Sequence, residues 1–207
     1  MRAFGLYPDD VIARTPAGGV TPPSSLASSM VYGGLGFALV SAVAYSIWAF
    51  RLVTGAAALY SSVAAVYVVA TGLVLGRLVA GSEATRRFAV LFGVAFILYA
   101  LGWCAFWFGL KGKHHADLWG SMVGIAAMTW LILRAFNQRG DGLASFAVLF
   151  TFHTLGYYVG AELYDAIGGT GGRLAWGVVH GLGFGVGLGY VLFRAQVGRA
   201  ASSRPNG

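Results

Sequence analysis

The chain has 207 residues, 57% of them hydrophobic and only 10% charged, against about 25% charged in an ordinary soluble domain. With a mean hydropathy of +0.72, this composition excludes a soluble globular fold, and the single cysteine, Cys104, excludes an intramolecular disulfide. The net charge of +7 rests on Lys and Arg that flank apolar stretches, the pattern of topology signals and lipid-headgroup contacts, so nucleic acid is not an expected partner.

Residues 1–29 read as a polar, mostly irregular tail. Asp9, Asp10 and several prolines interrupt it, where a cleavable signal needs a continuous apolar core behind basic residues. From 31 to 195 there is no proline; all five (Pro8, Pro16, Pro22, Pro23 and Pro205) lie outside that block. A helix crosses the hydrocarbon core with roughly 20 apolar residues. The sequence offers six such spans, at 31–50, 57–80, 88–110, 117–136, 143–166 and 174–194. The breaks, Arg51–Ala56, Gly81–Arg87, Lys111–Ala116, Asn137–Gly142 and Ile167–Arg173, are short and rich in glycine or charge, which suits antiparallel neighbours. The expected organisation is therefore an all-α integral membrane protein: a tail (1–29), a six-helix transmembrane domain (30–195) built as three antiparallel hairpins, and a second tail (196–207).

Basic residues orient the set. The N-tail, second loop, fourth loop and C-tail carry Arg2, Arg14, Arg77, Arg86, Arg87, Arg134, Arg139, Arg194, Arg199 and Arg204, against Arg51, Lys111, Lys113 and Arg173 elsewhere. Positive charge is retained on the cytoplasmic side, so both termini are expected there, in a multi-pass protein of the cell (inner) membrane. Trp48, Trp103, Trp107, Trp119 and Trp176 fall near the outer helix ends, as expected of interfacial rings.

An internal repeat is visible. Phe88-Ala-Val-Leu-Phe92 recurs as Phe146-Ala-Val-Leu-Phe150, and in the same register Tyr99 matches Tyr157, Gly102 matches Gly160 and Phe106 matches Tyr164. Trp119-Gly120 with Gly124 then corresponds to Trp176-Gly177 with Gly181. Spans 3–4 and 5–6 thus read as copies of one hairpin. Span 6 also carries Gly177, Gly181, Gly185 and Gly189 at every fourth position, and Gly72/Gly76, Gly120/Gly124 and Gly156/Gly160 repeat the spacing. Small residues let helix backbones approach closely in a membrane, within the chain or across a homo-oligomer or complex interface.

Ionisable groups inside a span are functional candidates. Reflecting span 5 onto span 6 about a turn at Gly169–Thr170 sets His180 within three residues of the level of Glu162, about 4.5 Å along the axis. A His–carboxylate pair is expected there. The same reflection puts Cys104 and Ser121 at similar depth, and Tyr158 lies one turn before Glu162. These five residues define a candidate outward-facing pocket for a small solute, proton or cation. His153 falls six residues from the level of His180, about 9 Å, which weighs against a haem clamped between the two; no cofactor is identified. His114, His115 and Asp117 form a weaker candidate metal group.

Ser121 near the outer start of span 4 and His180 in span 6 resemble the Ser–His dyad of rhomboid intramembrane proteases, and His180-Gly-Leu-Gly183 with Gly187 is similar to their sixth helix. The resemblance implies a membrane-embedded hydrolase with Ser121 and His180 catalytic. It stops there. Met122 stands where the family has glycine, span 2 has no histidine–asparagine pair, and the first outer loop is too short for the family's insertion. Solute binding or transport is therefore the leading expectation, beside a Ser/His hydrolase, a haem or metal redox protein, or a non-catalytic subunit of a membrane complex.

Overall fold

The structure, a computed structural model, describes residues 1–14 and 25–202, the last five of these by backbone only. A short helix α1 (Pro8–Arg14) precedes six long ones: α2 (Leu26–Ala49), α3 (Ala56–Leu78), α4 (Ala84–Gly109), α5 (Ala116–Ala135), α6 (Gly142–Ile167) and α7 (Gly169–Ser202). All six are long and apolar enough to cross a membrane. They match the six expected spans in order.

Local chemistry explains where the ends differ from expectation. The α2 helix starts five residues early because the Ser25 hydroxyl accepts the Ser28 N–H, at 3.2 Å, satisfying one of the first-turn donors. Between α6 and α7 a single residue suffices: Gly168, at φ 69° and ψ 175°, holds a conformation essentially reserved for glycine. Helices α2, α4 and α5 all end on a left-handed non-glycine residue, Arg51, Lys111 and Asn137. In each the next amide reaches back five residues, as in Leu52 N–H to the Ile47 carbonyl at 2.9 Å, the bond that satisfies orphan carbonyls at a helix end.

Each helix packs on its chain neighbours, and α7 closes the ring against α2. Six antiparallel passes place both ends of the bundle's chain at one end, called proximal here, with the loops after α2, α4 and α6 at the distal end. The closest pairings are α2 with α7, α6 with α7 and α4 with α5, and glycine makes them. On α7, Gly177, Gly181, Gly185 and Gly189 all face α2, against Tyr45, Ser41, Phe37 and Ser29 respectively. Gly183 and Gly187, on another face, meet Gly156 and Leu149 of α6. Between α4 and α5, a Cβ on Gly102 would stand 2.9 Å from Gly124 Cα.

The glycines matched between the two hairpins do not all pack alike. Gly102 and Gly160 each face the following helix, but Gly120 and Gly124 pack on α4 whereas their counterparts Gly177 and Gly181 turn away to α2. Closing the ring requires it: α7 has two tight neighbours.

Helix α3 is not α-helical throughout. Its geometry passes through a π segment at Tyr67–Thr71 and a final 3-10 turn at Gly76–Leu78. Gln196 of α7 ties down that end, accepting from Ala80 N–H and donating to the Leu78 and Leu192 carbonyls, all at 2.9 Å.

The start of the chain is more ordered than a polar tail. Leu6 and Val11 are buried, Arg14 donates to the Gly5 carbonyl, and Ser82 donates to the Arg14 carbonyl at 3.0 Å. Segment 1–14 thus docks on the loop before α4. There, hydrogen bonds from Arg87 and Arg86 hold the Glu83 carboxyl below the usual carboxylate range.

A side chain at Gly185 has nowhere to go, since its Cβ alone would stand 2.6 Å from Phe37 Cβ. Overpacking of this kind costs typically about 1–3 kcal/mol. Gly185→Leu should sharply reduce the monodisperse yield in detergent, while Gly109→Ala, at a position with nothing within 4 Å, should leave it unchanged; size-exclusion profiles compare the two.

Candidate functional site

The glycine contacts gather α2, α7 and α6 on one side of the ring and α4 with α5 on another. Helix α3 is gathered only at its proximal end, where Gly72 meets Ala89 and Gly76 meets Thr85 of α4. Its distal half, Ala56–Val66, contains no buried residue, packs on α2, and scarcely approaches α4. The facing stretch of α4 carries Phe96, Trp103 and Trp107, and no glycine of α3 lies between Gly55 and Gly72. The aromatic side chains of α4 stand between the two backbones, with Ser61 and Ala64 of α3 and no glycine opposite them.

A cavity of about 620 Å³ fills this space. Its lining comes from α2 (Tyr45, Trp48), α3 (Tyr60 and Tyr67 among smaller residues), α4 (Phe96, Tyr99, Trp103, Cys104, Trp107), α6 (Tyr157) and α7 (Trp176, His180, Phe184). From Trp107 to Phe96 it runs eleven residues along α4, about 16 Å at 1.5 Å per residue. No Asp, Glu, Lys or Arg lines it. Trp103 and Trp107 stack at 5.0 Å and 13°, and Tyr60 bridges from α3 to Trp103 and Phe108, with centroids 6.4 and 6.1 Å apart. Over the α2–α7 corner, the Arg173 guanidinium lies 5.0 Å from the Trp48 ring and donates to the Ala49 carbonyl at 3.4 Å.

Polar pairs stud the deep wall. Ser41 and Tyr67 hydroxyls are 2.7 Å apart, the Tyr99 hydroxyl is 2.9 Å from His153 Nε2, and the Tyr45 hydroxyl is 3.3 Å from His180 Nδ1. The second nitrogen of each buried imidazole, Nδ1 of His153 and Nε2 of His180, has no partner, nor has Trp176 Nε1. Such buried polar atoms are uncommon and require an explanation.

The expected site is partly assembled and partly not. His180 and Cys104 line the cavity. Ser121 and Tyr158 line a separate narrow cleft between α5 and α6, with Asp117 and His153. The expected His180–Glu162 pair does not form: Glu162 is exposed, and His180 has Tyr45 as its partner. The reason is rotational. Gly160 is the residue that faces α7, and Glu162, two positions on, points about 200° away. The Ser121–His180 dyad implied by the rhomboid resemblance is likewise absent, with the two side chains in different cavities.

His153 and His180 meet, against expectation, with ring centroids 4.9 Å apart and planes at 83°. The observed pairings, Gly183 on Phe152 and Gly187 on Leu149, shift the reflection by about three residues and halve the axial offset to roughly 4.5 Å. Contact this close leaves no room for a macrocycle between the rings, so a haem clamped by both histidines does not fit. His114 and His115 are exposed and form no three-ligand group with Asp117; none exists among the described residues. Asp117 instead sits in the first turn of α5, where a carboxylate complements the helix dipole.

Sequence reasoning missed the aromatic wall. Of the five tryptophans assigned to an interfacial belt, Trp48, Trp103, Trp107 and Trp176 line the cavity, and Trp119 is 46% exposed. The signal lay in helical spacing: Trp103/Trp107 and Trp176/His180 are four apart, one above the other on a face. No family model, curated protein or solved structure matches the chain, so the functional reading rests on this geometry.

The Tyr99–His153 bond should be measurable as a coupled pair. Tyr99→Phe leaves a buried imidazole with no partner at either nitrogen, a loss of about 1–3 kcal/mol. Adding His153→Leu removes the orphan, so the double variant should melt less than the sum of the single losses below wild type. Strict additivity in thermal unfolding would show that the bond is not made.

Proposed function

We propose that this membrane protein binds a small, predominantly apolar solute in the aromatic cavity, reached sideways from the outer leaflet through the gap between the distal half of α3 and α4. The observation that carries the reading is the combination of that gap with a lining free of ionised groups. A hydrated inorganic cation finds no counter-charge there, and stripping it of water is strongly unfavourable. An apolar molecule dissolved in the bilayer loses nothing by moving onto aromatic faces. The volume lies within the range of small-molecule sites.

The orientation follows from charge. Ten of the fourteen Lys and Arg residues belong to the proximal end and the tails, and the positive end stays cytoplasmic; the cavity then faces outward, in the cell membrane. The earlier expectation of a Glu162–His180 ion site is replaced by a His180–Tyr45 wall inside an aromatic vestibule. Binding for transfer across the membrane and binding for presentation to a partner share this first step.

Ala100 lines the cavity on α4, and Ala100→Trp should fill it. In the purified protein in nanodiscs, binding of naphthalene above the protein-free nanodisc blank should fall at least tenfold in this variant with the melting temperature unchanged. Equal binding by variant and wild type would overturn the cavity as the site.

A further inference from the structure

On the footing that the cavity is the binding site, the charges around its mouth identify the ligand more closely. Two loops frame the distal edge of the mouth: 50–55, which leads into α3, and 110–115, which leaves α4. Beside His114 and His115 they carry Arg51, Lys111 and Lys113 and no carboxylate; there is no Asp or Glu from Leu26 to Ser82 or from Ala84 to Ala116. The three cationic side chains are exposed, and none forms an ion pair among the described residues. Both loops are tied to a tryptophan of the lining. Arg51 N–H donates to the Trp48 carbonyl at 3.2 Å, and Gly112 N–H, between the lysines, donates to the Trp107 carbonyl at 2.8 Å. Arg173, the fourth distal cation, already lies over the Trp48 ring. The distal carboxylates Asp117, Glu162 and Asp165 stand apart from the mouth, on α5 and α6. Topology does not call for these cations, since positive charge is retained at the opposite end.

We propose that the ligand is a single-chain anionic amphiphile, such as a fatty carboxylate, with its hydrocarbon chain in the cavity and its head at the rim formed by Arg51, Lys111 and Lys113. The uncharged lining accepts the chain. A head left at the interface keeps its hydration, so no charge is buried without a partner. Lys and Arg stems lie along apolar surface while their charges stay in water, where they attract anionic headgroups. A space about 16 Å long on α4, of about 620 Å³, suits one chain entering from the side.

Equilibrium binding of dodecanesulfonate, whose charge does not titrate, is compared with that of dodecanol. Both are titrated into the full chain in nanodiscs of zwitterionic lipid and corrected for partition into protein-free nanodiscs. Wild type should bind the sulfonate at least tenfold more tightly than the alcohol. The double variant Lys111→Gln, Lys113→Gln should reduce that ratio to below threefold with dodecanol affinity unchanged. Removing the same charge at the proximal end, with Arg134→Gln and Arg139→Gln, should leave the ratio as it was. A ratio lost equally in both double variants overturns the rim as the partner of the head. Equal binding of the two compounds by wild type overturns head recognition and leaves the apolar cavity standing. Absence of binding by either compound overturns both. Ala100→Trp should abolish binding of the sulfonate, and a sulfonate affinity that survives it places the anion on surface charge alone and overturns the proposal. Should that variant fail to fold, displacement of the sulfonate from wild type by excess naphthalene makes the same distinction.

Discussion

Close approach of helix backbones on two faces of α7 is the constraint from which the rest of the architecture follows. Between helices in lipid there is no hydrophobic driving force, because the surrounding tails are as apolar as the side chains. Association depends instead on dispersion contacts, which grow as backbones come together. The glycines at 177, 181, 185 and 189 bring α2 in; those at 183 and 187, with Gly156 opposite, bring α6 in. A helix with two such faces becomes the shared wall of a three-helix slab and closes the ring of six.

The cavity exists where this mechanism is missing. Proximal α3 has Gly72 and Gly76 and sits hard against α4; distal α3 has neither, and meets Phe and Trp. The π segment Tyr67–Thr71 lies at the boundary between the two regimes. Wide turns of this kind occur mostly as single bulges within α-helices, frequently at functional sites. Here the bulge begins at Tyr67, a cavity residue bonded to Ser41. Packing, backbone irregularity and the binding space are thus one feature seen at three scales.

Much of this was legible in the sequence, and the reasons for the rest are physical. Span number, order and the stripe on α7 followed from apolar run length and a four-residue spacing, which are properties of one helix at a time. Helix rotation was not available in the same way. Glu162 was expected beside His180 on depth alone, but two residues past Gly160 a side chain faces the opposite side. The histidine contact was missed for a related reason: a reflection about an assumed turn carries an error of a few residues, and three were enough to bring His153 and His180 together. The tryptophans were read only as a belt because lining a cavity and sitting at the interface both put rings near helix ends. Partner glycines decide which way such a helix turns, and these pairings only exist once the ring closes.

The α1 region illustrates a different limit. A stretch with Asp9, Asp10 and prolines reads as a tail, yet Leu6 and Val11 are buried, because two apolar side chains suffice to dock a short segment on a surface that the bundle has already built. The account as a whole stands on the splaying of α3, and spin-label distances test it directly. In a Cys104→Ser background, labels at Ala57 and Ala105 report the distal separation of α3 and α4, and labels at Leu73 and Val90 the proximal one; all four positions are exposed. The account predicts a distal distance longer by several ångström in lipid nanodiscs. Equal distances at the two levels would mean that α3 packs along its whole length, which would contradict the lateral cavity.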